Sequence, residues 1–256
     1  MNLKGKNAVI TGASKGIGKA IALKLAEQGV NVMLAARTRE TLAEATAEIQ
    51  GKTKVKVFGV PTDVSQLGDL QNLVNKAFEE FKTIDILINN AGVSSQYPFD
   101  KQPLEDIERL AHTNYLGYVR LIRLVIPHMI ERKQGAIINM VSGSTLCDPL
   151  PKNFLTYSSL KVGLRAFLKG LFWEMRDHGI KVTSILPGVV DTELTGKLQD
   201  IAVQQKARLM SAETVVDMVM FALSVPQNAC PVELAVINQQ TPWTKPVIDY
   251  VQEQAQ

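Results

Sequence analysis

Three residues that can hold or move a proton lie close together in the sequence. Tyr157 and Lys161 stand four residues apart in YSSLK, and Ser142 follows an apolar segment a short distance upstream. On a helix, residues i and i+4 share a face, so the phenol and the ammonium group can point into one cleft. A nearby cation lowers the phenol pKa from about 10, which makes tyrosine a usable acid or base. The alternative is an ordinary solvated helix surface, and the surrounding motifs must decide between the two.

Apolar runs rich in β-branched residues alternate with amphipathic segments along the chain. The predicted strands are 7–11, 31–36, 54–60, 84–89, 135–142, 181–187 and 232–238. The predicted helices are 16–28, 38–50, 66–82, 104–132, 154–178 and 212–223, with a further helical piece near 192–208. Strands that are apolar on both faces and alternate with helices predict a parallel sheet covered on both sides. We therefore expect an α/β fold, a single doubly wound Rossmann-type domain of about seven strands over residues 1–256.

A glycine-rich turn follows the first strand and leads into the first helix. Its sequence, TGASKGIG, spans residues 11–18. Glycines let the backbone turn tightly and approach a pyrophosphate, which the free N–H groups of the helix N-terminus bind. A glycine turn without a ligand is the alternative. The order of strand, turn and helix favours a dinucleotide site that includes Gly12, Ser14, Lys15, Gly16, Ile17 and Gly18.

The end of the second strand predicts which dinucleotide is bound. NAD-selective sites of this kind carry an acid there, which hydrogen-bonds the ribose 2′-hydroxyl. Here Ala36 and Arg37 occupy the position, and Lys15 supplies a second cation. Guanidinium and ammonium groups pair with phosphate, so the sequence favours NADP(H), the alternative being two solvated surface charges.

The ends of the third and fourth strands complete the predicted cofactor groove. Asp63 and Val64 follow the third strand, where they contact an adenine ring unless Asp63 serves as the N-cap of the next helix. The NNAG segment, residues 89–92, follows the fourth strand. Asn side chains there bind backbone groups, and small residues keep the groove floor low. The groove residues predicted in this segment are Asn90, Ala91 and Gly92.

Six motifs in order resemble the short-chain dehydrogenase/reductase family. They are TGASKGIG (11–18), NNAG (89–92), Asn114 in NYLG, Ser142, YSSLK (157–161) and PGVVDT (187–192). The resemblance covers about residues 4 to 240 and is specific for fold and cofactor class, but not for substrate. It implies an oxidoreductase acting on a carbonyl/alcohol pair with a nicotinamide cofactor.

The resemblance also implies a role for each motif residue. Tyr157 would protonate the carbonyl oxygen, and Ser142 would hydrogen-bond the same oxygen. Lys161 would hold the nicotinamide ribose and lower the tyrosine pKa, while Asn114 would bind a water molecule that passes protons to solvent. The carboxamide would be held by Thr192 and the backbone near Val189, in a cofactor-binding segment that includes Pro187, Gly188, Val190 and Thr192.

Two features depart from the family pattern. The spacing between serine and tyrosine is long when it is counted from Ser142, and Ser144 is the alternative; we prefer Ser142 because it lies at the tip of a strand. The last strand lacks the family's glycine-rich ending, and the atypical tail 239–256 replaces it. That difference puts a homotetramer in doubt and favours a homodimer through helices 104–132 and 154–178.

Three irregular segments, 91–103, 143–153 and 187–211, are expected to surround the substrate. They contribute a mostly apolar set: Ser94, Ser95, Tyr97, Phe99, Leu146, Cys147, Leu150, Phe154, Val189 and Leu194. Burying an unpaired anion is costly, so this set predicts a ketone or aldehyde with an uncharged, apolar or aromatic body. Lys152 and Arg208 keep open a 3-oxoacyl-[acyl-carrier-protein] reductase. A non-catalytic NADP(H) sensor is the alternative from another class, against which the complete set of proton-handling residues argues.

Composition excludes other functions. The formal charge is +3 over 256 residues and the basic residues are scattered, so no nucleic-acid partner is expected. His112, His128 and His178 lack the spacing and neighbours of a metal site. We expect Cys147 and Cys230 to be free thiols. The sequence also predicts neither a membrane-spanning segment nor a leader peptide, because no apolar run is long enough to cross a bilayer and no leader pattern is apparent. A cytoplasmic protein is predicted.

Overall fold

A parallel sheet of seven strands forms the centre of the molecule. The computed structural model describes residues 2–195 and 209–240. The strand order is β3-β2-β1-β4-β5-β6-β7, and every neighbouring pair is parallel. The strands are β1 (Asn7–Thr11), β2 (Asn31–Ala36), β3 (Val57–Pro61), β4 (Ile86–Asn89), β5 (Gly135–Met140), β6 (Ile180–Pro187) and β7 (Glu233–Val236). The predicted doubly wound α/β fold is confirmed.

Helices cover both faces of this sheet. They are α1 (Gly16–Glu27), α2 (Arg39–Lys52), α3 (Leu67–Phe81), α4 (Leu104–Ala111), α5 (Gly117–Arg132), α6 (Leu155–Met175) and α7 (Ala212–Ser224). Alternate strand residues point to opposite faces, so Ile10 packs with α1, α2 and α7, and Val9 packs with α3, α5 and α6. Burial on both faces explains why the strands are almost entirely apolar. No helix within residues 2–195 and 209–240 has the length and apolarity needed to cross a membrane.

The long helix predicted over 104–132 is interrupted. A π-helical turn, His112–Leu116, separates α4 from α5. Within it, the Asn114 side chain hydrogen-bonds both backbone groups of Val93, at 3.2 Å and 2.8 Å. Such turns are rare and frequently lie at functional sites, and hydrophobic periodicity does not predict them.

Other predicted boundaries shift by a few residues. The helix predicted over 154–178 ends at Met175 and continues as the short 3-10 turn Arg176–His178. Strand β5 ends at Met140, because the chain enters another 3-10 turn at Gly143–Leu146. The helical piece predicted near 192–208 lies mostly outside the described residues, as does most of the tail 239–256.

Candidate active site

A cleft of about 340 Å³ opens at the carboxyl ends of β1 and β4, where the direction of winding reverses. Most of the predicted site residues line it: Gly12, Ser14, Lys15, Gly16, Ile17, Arg37, Asp63, Val64, Asn90, Ala91, Gly92, Asn114, Ser142, Tyr157, Lys161, Pro187 and Thr192. The lining of the cleft does not include three of the predicted residues, Gly18, Gly188 and Val190. Open α/β sheets bind ligands at this position.

Close packing explains the glycines of the first turn. A Cβ added at Gly12 would lie 2.9 Å from the Ala91 Cα, and one at Gly18 would lie 2.3 Å from the Gly12 carbonyl oxygen. Gly18 therefore lets α1 pack against the turn and does not itself line the cleft. Lys15, at the N-cap of α1, makes no side-chain capping hydrogen bond, which leaves first-turn N–H groups for an anion. The residues present fit a dinucleotide pyrophosphate.

Asn90 joins the end of β4 to the glycine turn. Its Nδ2 donates to the carbonyl oxygens of Thr11, at 3.0 Å, and Gly12, at 3.1 Å. The neighbouring Asn89 is buried and donates to the Asn139 side-chain oxygen on β5 at 3.0 Å. These bonds stiffen the floor of the cleft, as the NNAG motif predicts.

The first predicted cation lies beside the cleft at the end of β2. Strand β2 ends at the buried Ala36, and the exposed Arg37 lines the cleft next to it. The second predicted cation, Lys15, forms an ion pair with Glu193 in the turn after β6. Lys15 is therefore paired with a carboxylate, which sequence reasoning did not foresee.

Asp63 caps a local turn and is not the N-cap of α3. Its carboxylate accepts hydrogen bonds from the Ser65 backbone N–H at 2.9 Å and from the Ser65 hydroxyl at 2.7 Å. The N-cap of α3 is Gln66. The Asp63 backbone N–H donates to the Asp69 carboxylate at 2.8 Å, which orients Asp63 and Val64 at the cleft wall.

Ser142 and Tyr157 meet at the inner end of the cleft. Ser142 lies just beyond β5 in extended backbone, and its hydroxyl interacts with the Tyr157 hydroxyl. The Ser142 Oγ accepts from the Ser144 N–H at 3.1 Å and lies 3.0 Å from the Ser144 Oγ. Ser142 lines the cleft and Ser144 does not, so the geometry favours Ser142 as the partner of the tyrosine.

The electrostatics of the Tyr157–Lys161 pair differ from the sequence-based expectation. Burial of the hydroxyl raises the pKa of Tyr157 above its ordinary value, and the hydrogen bond with Ser142 opposes that rise. Lys161 is 2% exposed, and burial lowers its pKa to about 7. Its amino group donates to the Met140 carbonyl oxygen at 2.9 Å. Desolvation penalises both charged forms, so burial, and not Lys161, dominates the pKa of Tyr157.

The segment after β6 is held by a residue that the motifs do not include. Asn238 follows β7, and its side chain accepts from the Val189 N–H at 2.7 Å and donates to the Val189 carbonyl at 2.8 Å. A Cβ at Gly188 would lie 2.5 Å from the Asn238 Oδ1, which explains the glycine there. Asn238 is the last residue of the predicted strand 232–238, and no motif pointed to it.

Only one residue of the predicted apolar pocket set, Leu194, lines the cleft. The first two segments nevertheless lie together, because the Tyr97 N–H donates to the Asn153 carbonyl at 2.9 Å and the Thr156 hydroxyl contacts Gln102 at 2.5 Å. Large apolar side chains on and beside the three segments are exposed: Tyr97, Phe99, Leu104, Leu146, Leu155 and Leu194. Arg208 and residues 196–207 lie outside the described chain.

Sequence similarity agrees with the site. The model of a family described as short chain dehydrogenase matches residues 6–202. A fatty acyl-CoA reductase of Acinetobacter baylyi is 36% identical over 227 residues, which cover 87% of this chain and 74% of that protein. An oxidoreductase of Staphylococcus saprophyticus is 34% identical over 92% of this chain and 98% of its own.

Solved structures agree as well. An alcohol dehydrogenase from Thermococcus sibiricus, complexed with 5-hydroxy-NADP, has a TM-score of 0.84 at 27% identity and covers 93% of this chain and 98% of its own. A 3-ketoacyl-(acyl-carrier-protein) reductase from Brucella melitensis, complexed with NADH, has a TM-score of 0.83 at 26% identity, with the same coverage. Fold, site and similarity coincide, and the chain belongs to the short chain dehydrogenase family of oxidoreductases.

Proposed function

We propose that this oxidoreductase reduces ketones or aldehydes with an apolar body, using NADPH. The observation that carries the proposal is the convergence of Ser142, Tyr157 and Lys161 at the inner end of a cleft whose other end fits a dinucleotide. A bound nicotinamide supplies hydride, and this chain supplies the proton and the positioning.

The chemistry assigned to the side chains follows from their protonation. Tyr157 is a neutral phenol at working pH, because burial raises its pKa, so it is a proton donor to a carbonyl oxygen. The Ser142 hydroxyl, hydrogen-bonded to Tyr157, is positioned to donate to the same oxygen. Lys161 in its cationic form favours the phenolate that remains after proton transfer. Asn114 is fully buried in the π turn and fixes the loop after β4.

Preference for NADP(H) is supported by the end of β2. Ala36 leaves no carboxylate to repel a 2′-phosphate, and the exposed Arg37 guanidinium is available beside the cleft. Of the two solved structures described above, one is complexed with an NADP derivative and the other with NADH. The charge at the end of β2 is therefore the better guide to cofactor preference.

The substrate class is supported by exposed apolar side chains on and beside the three irregular segments expected to surround the substrate. Six large apolar residues on and beside the surrounding segments are exposed, which suits an alkyl or aryl body better than a small anion. The similarity to a fatty acyl-CoA reductase favours an extended chain. A 3-oxoacyl-[acyl-carrier-protein] reductase is the second candidate, because the exposed Lys152 in segment 143–153 suits an acidic phosphopantetheine.

A substrate panel tests this function. We expect kcat/KM with NADPH to rise with chain length across neutral aldehydes and ketones, and to be low for small keto acids. A 3-oxoacyl thioester on an acyl carrier protein, compared with the same acyl group on a short thiol, tests the second candidate. A clear preference for small charged substrates would overturn the assignment. We also propose that the protein forms a homodimer. A cytoplasmic location is part of the proposal too, and the two free thiols are consistent with it.

A further inference from the structure

A second tyrosine lies at the inner end of the cleft. Tyr118, on α5, is 2% exposed and lines the same cleft as Tyr157 and Lys161. Its hydroxyl donates to the Met140 carbonyl oxygen at 3.1 Å. The Lys161 amino group donates to that same carbonyl at 2.9 Å and to the Tyr118 oxygen at 3.4 Å. The three polar groups therefore contact one another in a closed triangle inside the protein.

The donors and acceptors of this triangle can be assigned. A phenol has a single proton, and since Tyr118 gives that proton to Met140, its lone pairs are left for Lys161. An ammonium group has three N–H donors and no acceptor. Two of the three are used on Met140 and Tyr118, so one remains for the cleft that Lys161 lines.

The ring of Tyr118 makes a second contact with the lysine. The Lys161 Nζ lies 4.6 Å from the ring centroid, within the range of a cation–π interaction. Lysine has four rotatable side-chain bonds, and burial alone does not fix a single side-chain rotamer. A hydroxyl and a ring face from one residue define both the position and the direction of the ammonium group.

We propose that Tyr118 is a positioning residue for Lys161: it stabilises the ammonium form of that side chain and leaves one N–H directed to a ligand in the cleft. The identification of this ligand as the nicotinamide ribose rests on the proposed function. The hydrogen bonds among Tyr118, Met140 and Lys161 do not depend on that function. The motif resemblance assigns no role to Tyr118.

The charges around the triangle are consistent with this role. Burial raises the pKa of Tyr118, and Tyr157 acts in the same direction, so Tyr118 stays a neutral donor to Met140. Burial is the cause that lowers the pKa of Lys161 to about 7. Among described residues, α5 contributes Tyr118, α6 contributes Tyr157 and Lys161, β5 contributes an uncharged carbonyl, and no carboxylate shifts the pKa of any of the three side chains. The Tyr118 oxygen, 3.4 Å from the Lys161 amino group, and the Tyr118 ring are the contacts that oppose desolvation of the charged lysine.

The test measures the lysine itself. In protein labelled with ¹³C-lysine, the Cε resonance of Lys161 is identified by its disappearance in Lys161→Met and followed against pH. Tyr118→Phe keeps the ring and leaves Met140 bonded to Lys161, so folding should survive. We expect the Lys161 midpoint to fall by roughly 0.5 to 1 pH unit, because one hydrogen bond to the charged form is lost. An unchanged midpoint in folded Tyr118→Phe would refute the proposal.

A matched control separates a local effect from a general one. Tyr115 lies in the adjoining π turn, where its ring packs against Phe167 with a centroid distance of 6.4 Å. Tyr115→Phe should leave the Lys161 midpoint unchanged, and an equal fall in both variants would also refute the proposal. In the kinetic assay, Tyr118→Phe should move the alkaline limb of kcat to lower pH by the same amount. An enzyme inactive on every carbonyl, combined with a shifted Lys161 midpoint, would refute the proposed function and leave the positioning role intact.

Discussion

Lys15 and Glu193 form an ion pair across the mouth of the cofactor cleft. Lys15 precedes α1, and Glu193 lies in the turn after β6; both side chains are more than half exposed. The same two segments meet again at the next position, where a Cβ added at Gly16 would lie 3.4 Å from the Thr192 methyl carbon. A 2′-phosphate that used Lys15 would therefore compete with the Glu193 carboxylate.

Replacing Glu193 with Gln should tighten NADPH binding. The variant removes the competing carboxylate, and exposed ion pairs are weak, so we expect Kd to fall by roughly two- to fivefold. Fluorescence titration measures the change. NADH binding should be unaffected, and the gain should vanish when Lys15→Gln is added. A gain of equal size for both cofactors would show that Lys15 does not contact the phosphate.

Replacing Arg37 with Asp should reverse the cofactor preference. The substitution removes a charged hydrogen-bond partner and adds repulsion, which costs about 2 kcal/mol or more, roughly thirtyfold in the Kd for NADPH. Arg39→Asp is the matched control, since Arg39 begins α2 and does not line the cleft. Equal affinity of the wild-type protein for NADH and NADPH would contradict the assignment of Arg37.

Ser142→Ala and Ser144→Ala should differ in their effects on kcat. Loss of the Ser142 hydroxyl removes a donor near the reacting oxygen, and we expect kcat to fall by roughly tenfold to a thousandfold. Ser144 does not line the cleft, so Ser144→Ala should cost less than about threefold. The two variants control for each other, because each deletes one hydroxyl of the same turn. A larger loss at Ser144 would reverse the assignment.

Burial of Lys161 should be visible in stability. Its pKa falls from 10.5 to about 7 on folding, so between these values the unfolded chain holds a proton that the folded protein has lost. The free energy of unfolding should therefore rise with pH above about 7, by at most about 1.4 kcal/mol per pH unit. Lys161→Met removes this contribution. Urea unfolding of the wild-type and variant proteins at several pH values measures this difference. If their free energies of unfolding changed with pH in parallel, the prediction would be wrong.

The sequence predicts the fold and the cleft because both depend on local signals. Alternation of apolar runs and helical segments defines the doubly wound sheet, and Gly12 and Gly16 mark the turn beside the cleft. These signals need no knowledge of distant neighbours.

The unpredicted features depend on contacts between distant segments. Asn238 binds Val189 across the ends of two strands, and Lys15 pairs with Glu193 across the cleft. The pKa of Tyr157 is set by the depth of burial of its hydroxyl, which spacing does not report. Tyr118 occupies an ordinary helical position in the sequence, and only the fold brings it to Lys161.

The role of Tyr157 is the central claim for the chemistry. Tyr157→Phe removes one hydroxyl and should leave folding and NADPH binding nearly intact, while kcat falls by about a hundredfold or more. Tyr115→Phe, with its hydroxyl outside the cleft lining, should retain normal turnover.

Transfer of deuterium from NADPH that carries deuterium at both C4 positions of the nicotinamide to a neutral aldehyde or ketone tests the account most directly. For the wild-type protein we predict an alcohol that carries one deuterium at the former carbonyl carbon, formed at a rate that collapses in Tyr157→Phe. Oxidation of NADPH without deuterium in the alcohol, or near-normal transfer by Tyr157→Phe, would contradict it.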